Sequence, residues 1–294
     1  MFSGAPIPLA NTVQAVALNP ASSIAGEALH LRALGCNIAI HCQASPDVCR
    51  ALDIAFGGMR APPAPGRANL EYAVRQTDSG ILLEADSTNI PAEDIGDLLY
   101  LLDKSITLAL QRIRTDLCFL HSGAVTGPDG RVIVLTAASG SGKSTLTWAL
   151  LHHGFGYLSD ELAPIDPRTL VVQGYRHALC LKRKPPESYR LPSATLETTR
   201  TLHVPVAGTS DQGSVAAILF VSHRYPENHP VLTDMSPARA AIHLYSNTLN
   251  PLAHPNDGLD AIAGIVQHVP SYELNSANLG AACAAIQALF KNLR

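Results

Sequence analysis

Residues 131–145 read RVIVLTAASGSGKST, and the expected fold is inferred mainly from this stretch. Arg131–Thr136 has the apolar, β-branched character of a buried strand, and the pattern from Lys143 onward predicts a helix. A turn rich in Gly and Ser joins the two. Strand, small-residue loop and helix is the arrangement in which backbone N–H groups surround a phosphate at a helix N-terminus. The sequence therefore predicts an α/β fold built around a phosphate-binding loop.

Each residue type in this loop suits a nucleoside triphosphate with Mg²⁺. Glycines at 140 and 142 allow the backbone amides to turn inward, Lys143 can reach the β- and γ-phosphates, and the Ser144 hydroxyl can ligate Mg²⁺. Ala137 stands where the common motif has its first Gly. The predicted nucleotide-binding residues are Ser139, Gly140, Ser141, Gly142, Lys143, Ser144 and Thr145.

Two further residues flank the loop in a way that favours catalysis. Asp160 follows a short predicted strand, 155–158, at the edge of the sheet where ligands of α/β proteins bind. A carboxylate there can hold Mg²⁺ or take the proton of an attacking hydroxyl; the alternative is an exposed turn residue. His121 lies at the end of the predicted strand before the loop hairpin, and either a structural or a catalytic role is open to it.

Composition excludes several classes of protein. A net charge of −3 over 294 residues gives no electrostatic attraction for nucleic acid. The N-terminus lacks the pattern of a signal peptide, and the longest apolar stretch, 279–290, is too short to span a bilayer. The six cysteines show no metal-ligand spacing and are expected to be reduced and buried. We expect a cytoplasmic protein without membrane or nucleic-acid partners, and a homo-oligomer is left open.

Patterning along the chain predicts a mixed sheet around the loop, flanked by helices, with a small N-terminal α/β accessory lobe. The expected boundaries are 1–90 for the lobe and 91–294 for the phosphate-loop domain. Other expectations are helices over 46–56, 91–114 and 276–291, a hairpin of 70–75 with 80–84, a turn at 164–167, and a long mobile loop over 182–213.

The order of these motifs resembles the HPr kinase/phosphorylase group, especially its shorter relatives, some of which phosphorylate lasso-peptide precursors. The matching stretches are LHSGA (120–124), SGSGKST (139–145), HHG (152–154), LSDE (158–161) and HALCLK (177–182). The resemblance covers about residues 95–182. It implies the HPr kinase and PEP carboxykinase type of fold, with ATP and Mg²⁺ as cofactors.

The resemblance also implies roles for individual residues in a serine kinase that acts on a peptide or small protein. Asp160 matches the first acid of the family's Asp-Asp pair, the proton acceptor, and Glu161 matches the second. With Ser144 they form the implied metal set, and the implied catalytic residues are Asp160, His121 and Lys143. No counterpart is found for the stretch that carries a further metal-binding Glu in the bifunctional enzymes, which speaks against a reverse phosphorylase activity.

Two alternatives stay open from the residues alone. A kinase with a small-metabolite acceptor would use the same loop, since phosphoryl transfer depends mainly on positioning and charge neutralisation. A nucleotide-binding regulator without transfer activity is the other alternative, motivated by Ala137 and Glu161. A further cation for the developing charge is sought in Arg224 or Arg239. The basic run 182–184 is either a docking site for an acidic peptide or nucleotide phosphates, or a solvated loop.

Overall fold

The computed structural model describes residues 28–78, 80–85, 87–138, 140–207, 210–222, 230–276 and 278–293. Within those ranges the backbone forms three β-sheets and six α-helices, which confirms the predicted mixed α/β architecture. The expectations for the N-terminal 27 residues, Ser139 and Arg224 fall outside the described residues.

The first sheet has five strands in the order in which they follow each other along the chain, and two helices cover it. Strand Cys36–Gln43 is parallel to strand Leu70–Thr77, and the other pairs are antiparallel. This confirms the predicted hairpin and the helix over 46–56. The elements are β1 (Ala28–Ala33), β2 (Cys36–Gln43), α1 (Pro46–Phe56), β3 (Leu70–Thr77), β4 (Gly80–Ala85), β5 (Thr88–Ala92) and α2 (Ile95–Ile113).

Helix α2 begins four residues later than expected. Pro91 and Ala92 complete β5, and the side chain of Asp94 caps the helix by accepting the Asp97 N–H at 2.8 Å. Leu98, Leu102 and other apolar residues of α2 pack in the core of the first sheet. Asp94 is therefore the N-cap of α2, and Pro91 belongs to the preceding strand β5.

The second sheet contains the predicted phosphate-binding loop. The remaining elements in chain order are β6 (Cys118–Leu120), β7 (Ser122–Thr126), β8 (Val132–Thr136), α3 (Lys143–His152), β9 (Gly156–Ser159), β10 (Ala163–Asp166), β11 (Val171–Gln173), β12 (Leu179–Leu181), β13 (Leu196–Glu197), β14 (Leu202–Val204), β15 (Gln212–Ser222), β16 (Val231–Asp234), α4 (Pro237–Tyr245), α5 (Leu259–His268), β17 (Ser271–Asn275) and α6 (Leu279–Asn292). The second sheet has nine strands: seven follow the order β6-β10-β11-β15-β8-β7-β9, β17 also pairs with β15, and β16 pairs with β17. Strand β15 runs parallel to both β8 and β17, and the other pairs are antiparallel.

Strand β8 shows why this sheet has helices on both faces. All five of its residues are buried. Ile133 and Leu135 pack in a core with α3 and α6, whereas Val132 and Val134 pack in a core with α4 and α5. An apolar strand without a polar face is what a sheet covered on both sides requires.

Three expectations from the sequence were wrong. Pro164 and Ile165 lie in strand β10 instead of a turn. The stretch 182–213, expected as a long mobile loop, contributes β13 and β14, which pair with β12 in a three-stranded sheet. Cys42 and Cys49 form a disulfide between β2 and α1, so not all six cysteines are reduced; Cys36, Cys118, Cys180 and Cys283 are free.

None of the helices in the described ranges is both long and apolar enough to cross a bilayer.

Candidate functional site

Strand register brings the separated motifs to one edge of the second sheet. In the antiparallel pair β7 and β8, Ser122 lies opposite Thr136, and their hydroxyls are 2.9 Å apart. In the pair β7 and β9, Ala124 lies opposite Ser159. The start of β7 and the ends of β8 and β9 therefore coincide, which places His121, the loop and Asp160 together.

The loop has the backbone conformation that its glycines were expected to allow. Gly140 and Gly142 have φ values of 82° and 83°, in the left-handed region. Gly142 is the N-cap of α3, and its carbonyl accepts the Leu146 N–H at 2.8 Å. Amides in the first turn of a helix lack intrahelical acceptors and point toward the space ahead of it. The loop therefore presents N–H donors and the positive end of the helix dipole to an anion.

Lys143 is held in a buried position beneath this loop. The side chain is 8% exposed, and Nζ donates to the carbonyl oxygen of His121 at 3.5 Å. Burial lowers the pKa of Lys143, and the carboxylates of Asp160 and Glu161 oppose that shift. A cation that has lost its water and faces two carboxylates is poised to pair with a phosphate.

The imidazole of His121 is half-buried, which lowers its pKa, and the Lys143 ammonium lowers it further. The ring is therefore biased toward its neutral form at physiological pH. A neutral ring can act as a hydrogen-bond partner at the phosphate without adding charge.

Asp160 is fully buried and accepts hydrogen bonds from fixed donors. Its Oδ1 accepts from the Tyr157 hydroxyl at 2.9 Å and its Oδ2 from the Cys180 N–H at 3.1 Å. Desolvation raises the pKa of Asp160, while His177, Ser144 of the loop and Tyr157 oppose the shift. A carboxylate with a raised pKa beside the loop is suited to receive a proton.

A second set of side chains near Asp160 was not identified from the sequence. His177 Nε2 lies 3.7 Å from Asp160 Oδ1. Asp103 of α2 accepts from the Tyr175 hydroxyl at 2.7 Å. The exposed Glu161, which the sequence did predict as a site residue, lies beside them. Burial would lower the pKa of His177, but the carboxylates of Asp103, Asp160 and Glu161 raise it above its usual value.

Some signals for these residues existed in the sequence. His177 begins the HALCLK stretch, and Asp103 follows Leu99 by four residues, so a charged residue falls on the apolar side of α2. Neither signal predicts that Asp103 would meet Tyr175 and His177, because the hydrogen bond between Asp103 and Tyr175 joins residues 72 positions apart.

The residues near the loop fit Mg²⁺ when it is bound through a nucleotide. The described residues hold no group of three or more His, Cys, Asp or Glu side chains that could coordinate a metal by themselves. Mg²⁺ is usually held by one or two protein oxygens together with substrate phosphates and water. The Ser144 hydroxyl in the first turn of α3 and the Asp160 carboxylate, whose pKa Ser144 lowers, are oxygen donors of this kind.

The structure thus brings together His121, Gly140, Gly142, Lys143, Ser144, Asp160 and Glu161, with Ser141 and Thr145 in the adjoining backbone. Ser139 lies outside the described residues. Arg239 is not part of this group, because it pairs with Glu273 of β17 at 2.8 Å, and β15 separates β17 from β8.

Comparison with known proteins gives a distant similarity. No protein-family model matches the chain, and no curated protein matches it. Among solved structures, an HPr(Ser) kinase/phosphatase from Coxiella burnetii matches with 13% identity and a TM-score of 0.33, over 59% of this chain and 94% of the other. At this level of similarity, function has to be inferred from the residues of this chain.

Proposed function

We propose that this chain is an ATP-dependent kinase that transfers the γ-phosphoryl group to a serine hydroxyl of a peptide or small protein. One observation carries the proposal. The strand register brings the buried Asp160 carboxylate to the start of a helix entered through two left-handed glycines, where Lys143 and Asp160 each shift the pKa of nearby groups. Triphosphate binding needs the loop alone, whereas the acid beside it suits transfer to a hydroxyl.

The loop residues would bind and orient the triphosphate. The first-turn amides of α3 and the Lys143 ammonium neutralise the β- and γ-phosphates, and Ser144 with Asp160 would hold Mg²⁺. When bound, Mg²⁺ would add further positive charge between the phosphates. Lys182 is a further cation at this place, since it lowers the pKa values of both His121 and Lys143.

Asp160 would act on the acceptor. Tyr157 and the Cys180 amide bind the carboxylate from within the protein, and the acceptor hydroxyl would approach from the side of Ser144 and the loop. The acceptor oxygen then bonds to the γ-phosphorus as the bond to ADP breaks, and its proton passes to the Asp160 carboxylate. The raised pKa of Asp160 favours this proton transfer.

The test is transfer of labelled γ-phosphate to peptides encoded beside the gene, lasso-peptide precursors included, with Mg²⁺ present. Wild type is compared with Lys143→Met, and ATP binding is measured separately by calorimetry. We expect a phosphorylated serine with wild type and at least 100-fold less with the variant, since positioned charges of this kind contribute about 10²–10³-fold. Tight ATP binding without any phosphorylated acceptor would instead support the nucleotide-binding regulator.

A further inference from the structure

A cavity of about 350 Å³ lies next to the proposed transfer site, between helices α1 and α2 on one side and strands β12 and β14 on the other. Apolar side chains of the two helices form one wall, among them Phe56, Leu99 and Tyr100. Cys180 and His203, which lie opposite each other on β12 and β14, contribute to another wall. The volume falls within the range of small-molecule sites, about 300–1,000 Å³.

Two cations lie at the mouth of this cavity. β12 and β14 pair Leu181 with Leu202, so that Lys182 emerges next to Arg200 and Thr201. The guanidinium of Arg200 stacks over the ring of the half-exposed Tyr100 at 4.6 Å and pairs with Asp97. A guanidinium has five N–H donors, so Arg200 retains donors for a second anion.

A buried acid–base group lies in the depth of the same cavity. His177 is 5% exposed, and its Nε2 has no hydrogen-bond partner among the described residues. Asp103, Glu161 and His177 line this cavity and also a second one of about 240 Å³ that reaches His121. A buried polar atom without a partner is costly unless a ligand or water supplies the missing bond.

We propose that this cavity binds the phosphoryl acceptor, with a carboxylate or phosphate of the acceptor on Arg200 and Lys182 and its hydroxyl on Nε2 of His177. The acceptor class is therefore a hydroxyl compound that carries a nearby anion and an apolar part, such as a serine beside an acidic residue. This inference rests on the proposed kinase function, but ligand binding in the cavity can be measured without ATP.

The experiment is ligand-observed NMR and calorimetry on the full chain without nucleotide. The probes are N-acetylated, C-amidated tripeptides with one Ser, one Leu and one Asp in every order. Matched peptides replace Asp by Asn or Ser by Ala, and glycerate serves as a small-molecule source of the same groups. The protein variants are Arg200→Gln, Lys182→Gln and His177→Gln, with Lys184→Gln as control. Lys184 belongs to the same basic run but pairs with the exposed Glu197 and does not line the cavity.

We expect at least one acidic peptide, or glycerate, to bind with millimolar or better affinity. Loss of either mouth cation should weaken it about tenfold, the size of one charge-assisted hydrogen bond. Replacing Asp by Asn in the peptide should have the same effect, Lys184→Gln should change affinity less than twofold, and His177→Gln should remove the preference for Ser over Ala. Tighter binding of glycerate than of every peptide would make the acceptor a small molecule and leave the site assignment intact.

Equal affinity for the Asp and Asn peptides, or no binding by any probe at 10 mM, would overturn the cavity assignment. These results are distinguishable from failure of the kinase function. A peptide that binds as predicted but never gains phosphate from ATP refutes the kinase, whereas transfer to a peptide with unchanged KM in the Arg200 and Lys182 variants refutes the cavity.

Discussion

Replacing Asp160 by Asn separates the proposed chemistry from the stability of the fold. The amide has almost the same shape as the carboxylate but cannot accept a proton at neutral pH. Its oxygen can still accept the Cys180 N–H, which lies 3.1 Å from Asp160 Oδ2 in the wild-type structure. Its NH₂ group can donate to the Tyr157 oxygen, because the Tyr157 hydroxyl has a second acceptor, the His177 carbonyl oxygen at 3.1 Å. Both hydrogen-bonding partners of Asp160 therefore keep a hydrogen bond, and His177, which lies 3.7 Å from Asp160, keeps the charges of Asp103 and Glu161.

The magnitudes follow from this count of bonds. Exchanging charged for neutral hydrogen bonds without leaving a group unsatisfied should change the free energy of unfolding by no more than about 1–2 kcal/mol. Removing the proton acceptor should lower the rate of phosphoryl transfer by about 10²–10⁴-fold. Urea unfolding measures the first quantity, and transfer from labelled ATP at saturating nucleotide measures the second.

Asp166→Asn is the matched control. Asp166 ends β10 in the same sheet and accepts the Arg168 N–H at 2.8 Å, a role that Asn can fill. Its transfer rate should equal that of wild type. A transfer rate for Asp160→Asn within threefold of wild type, with both proteins folded, would refute the assignment of Asp160 as proton acceptor.

Three further predictions concern stability and redox state. Burial, and to a smaller extent His177, lowers the pKa of His203 from 6.5 to about 4, so the fold favours the neutral ring. The free energy of unfolding should therefore fall by about 3 kcal/mol as the pH is lowered from above 6.5 to 4. Urea unfolding at both pH values should show a smaller loss for His203→Asn, and equal losses would contradict this assignment. A Cβ on Gly58 would lie 2.3 Å from the Arg176 carbonyl oxygen, so Gly58→Ala should lower the melting temperature and the free energy of unfolding, the latter by about 1–3 kcal/mol. The control Gly264→Ala, inside α5 with open space around it, should raise the free energy of unfolding by about 0.5–1 kcal/mol. A Gly58→Ala protein as stable as wild type would show that the contact is absent. Thiol titration of the denatured, unreduced protein should count four free cysteines and six after reduction, and six before reduction would exclude the disulfide between Cys42 and Cys49.

Local patterns predicted the elements that lie next to each other in the chain. The apolar run before the loop gave β8, the sequence Ser45-Pro46 marked the start of α1, and the alternating runs around residue 79 gave the hairpin of β3 and β4. Predictions failed where distant pairing overrides local preference. Pro164 remains in a strand because β10 pairs with β6 and β11, and the polar stretch after residue 182 forms strands because β14 pairs with β12.

The local sequence was enough to predict the backbone of the loop and the helix after it, because glycines, a lysine and a helix start lie within one short segment and need no distant contacts. It also pointed to Asp160, because a residue at the end of the next strand reaches the same edge of the sheet. What surrounds that acid depends on tertiary packing. Asp103, His177 and the mouth cations of the cavity come from separate segments, which meet because helices α1 and α2 lie against β12 and β14. No local pattern encodes that packing, because burial energy depends on the total apolar area of both surfaces and not on any one segment.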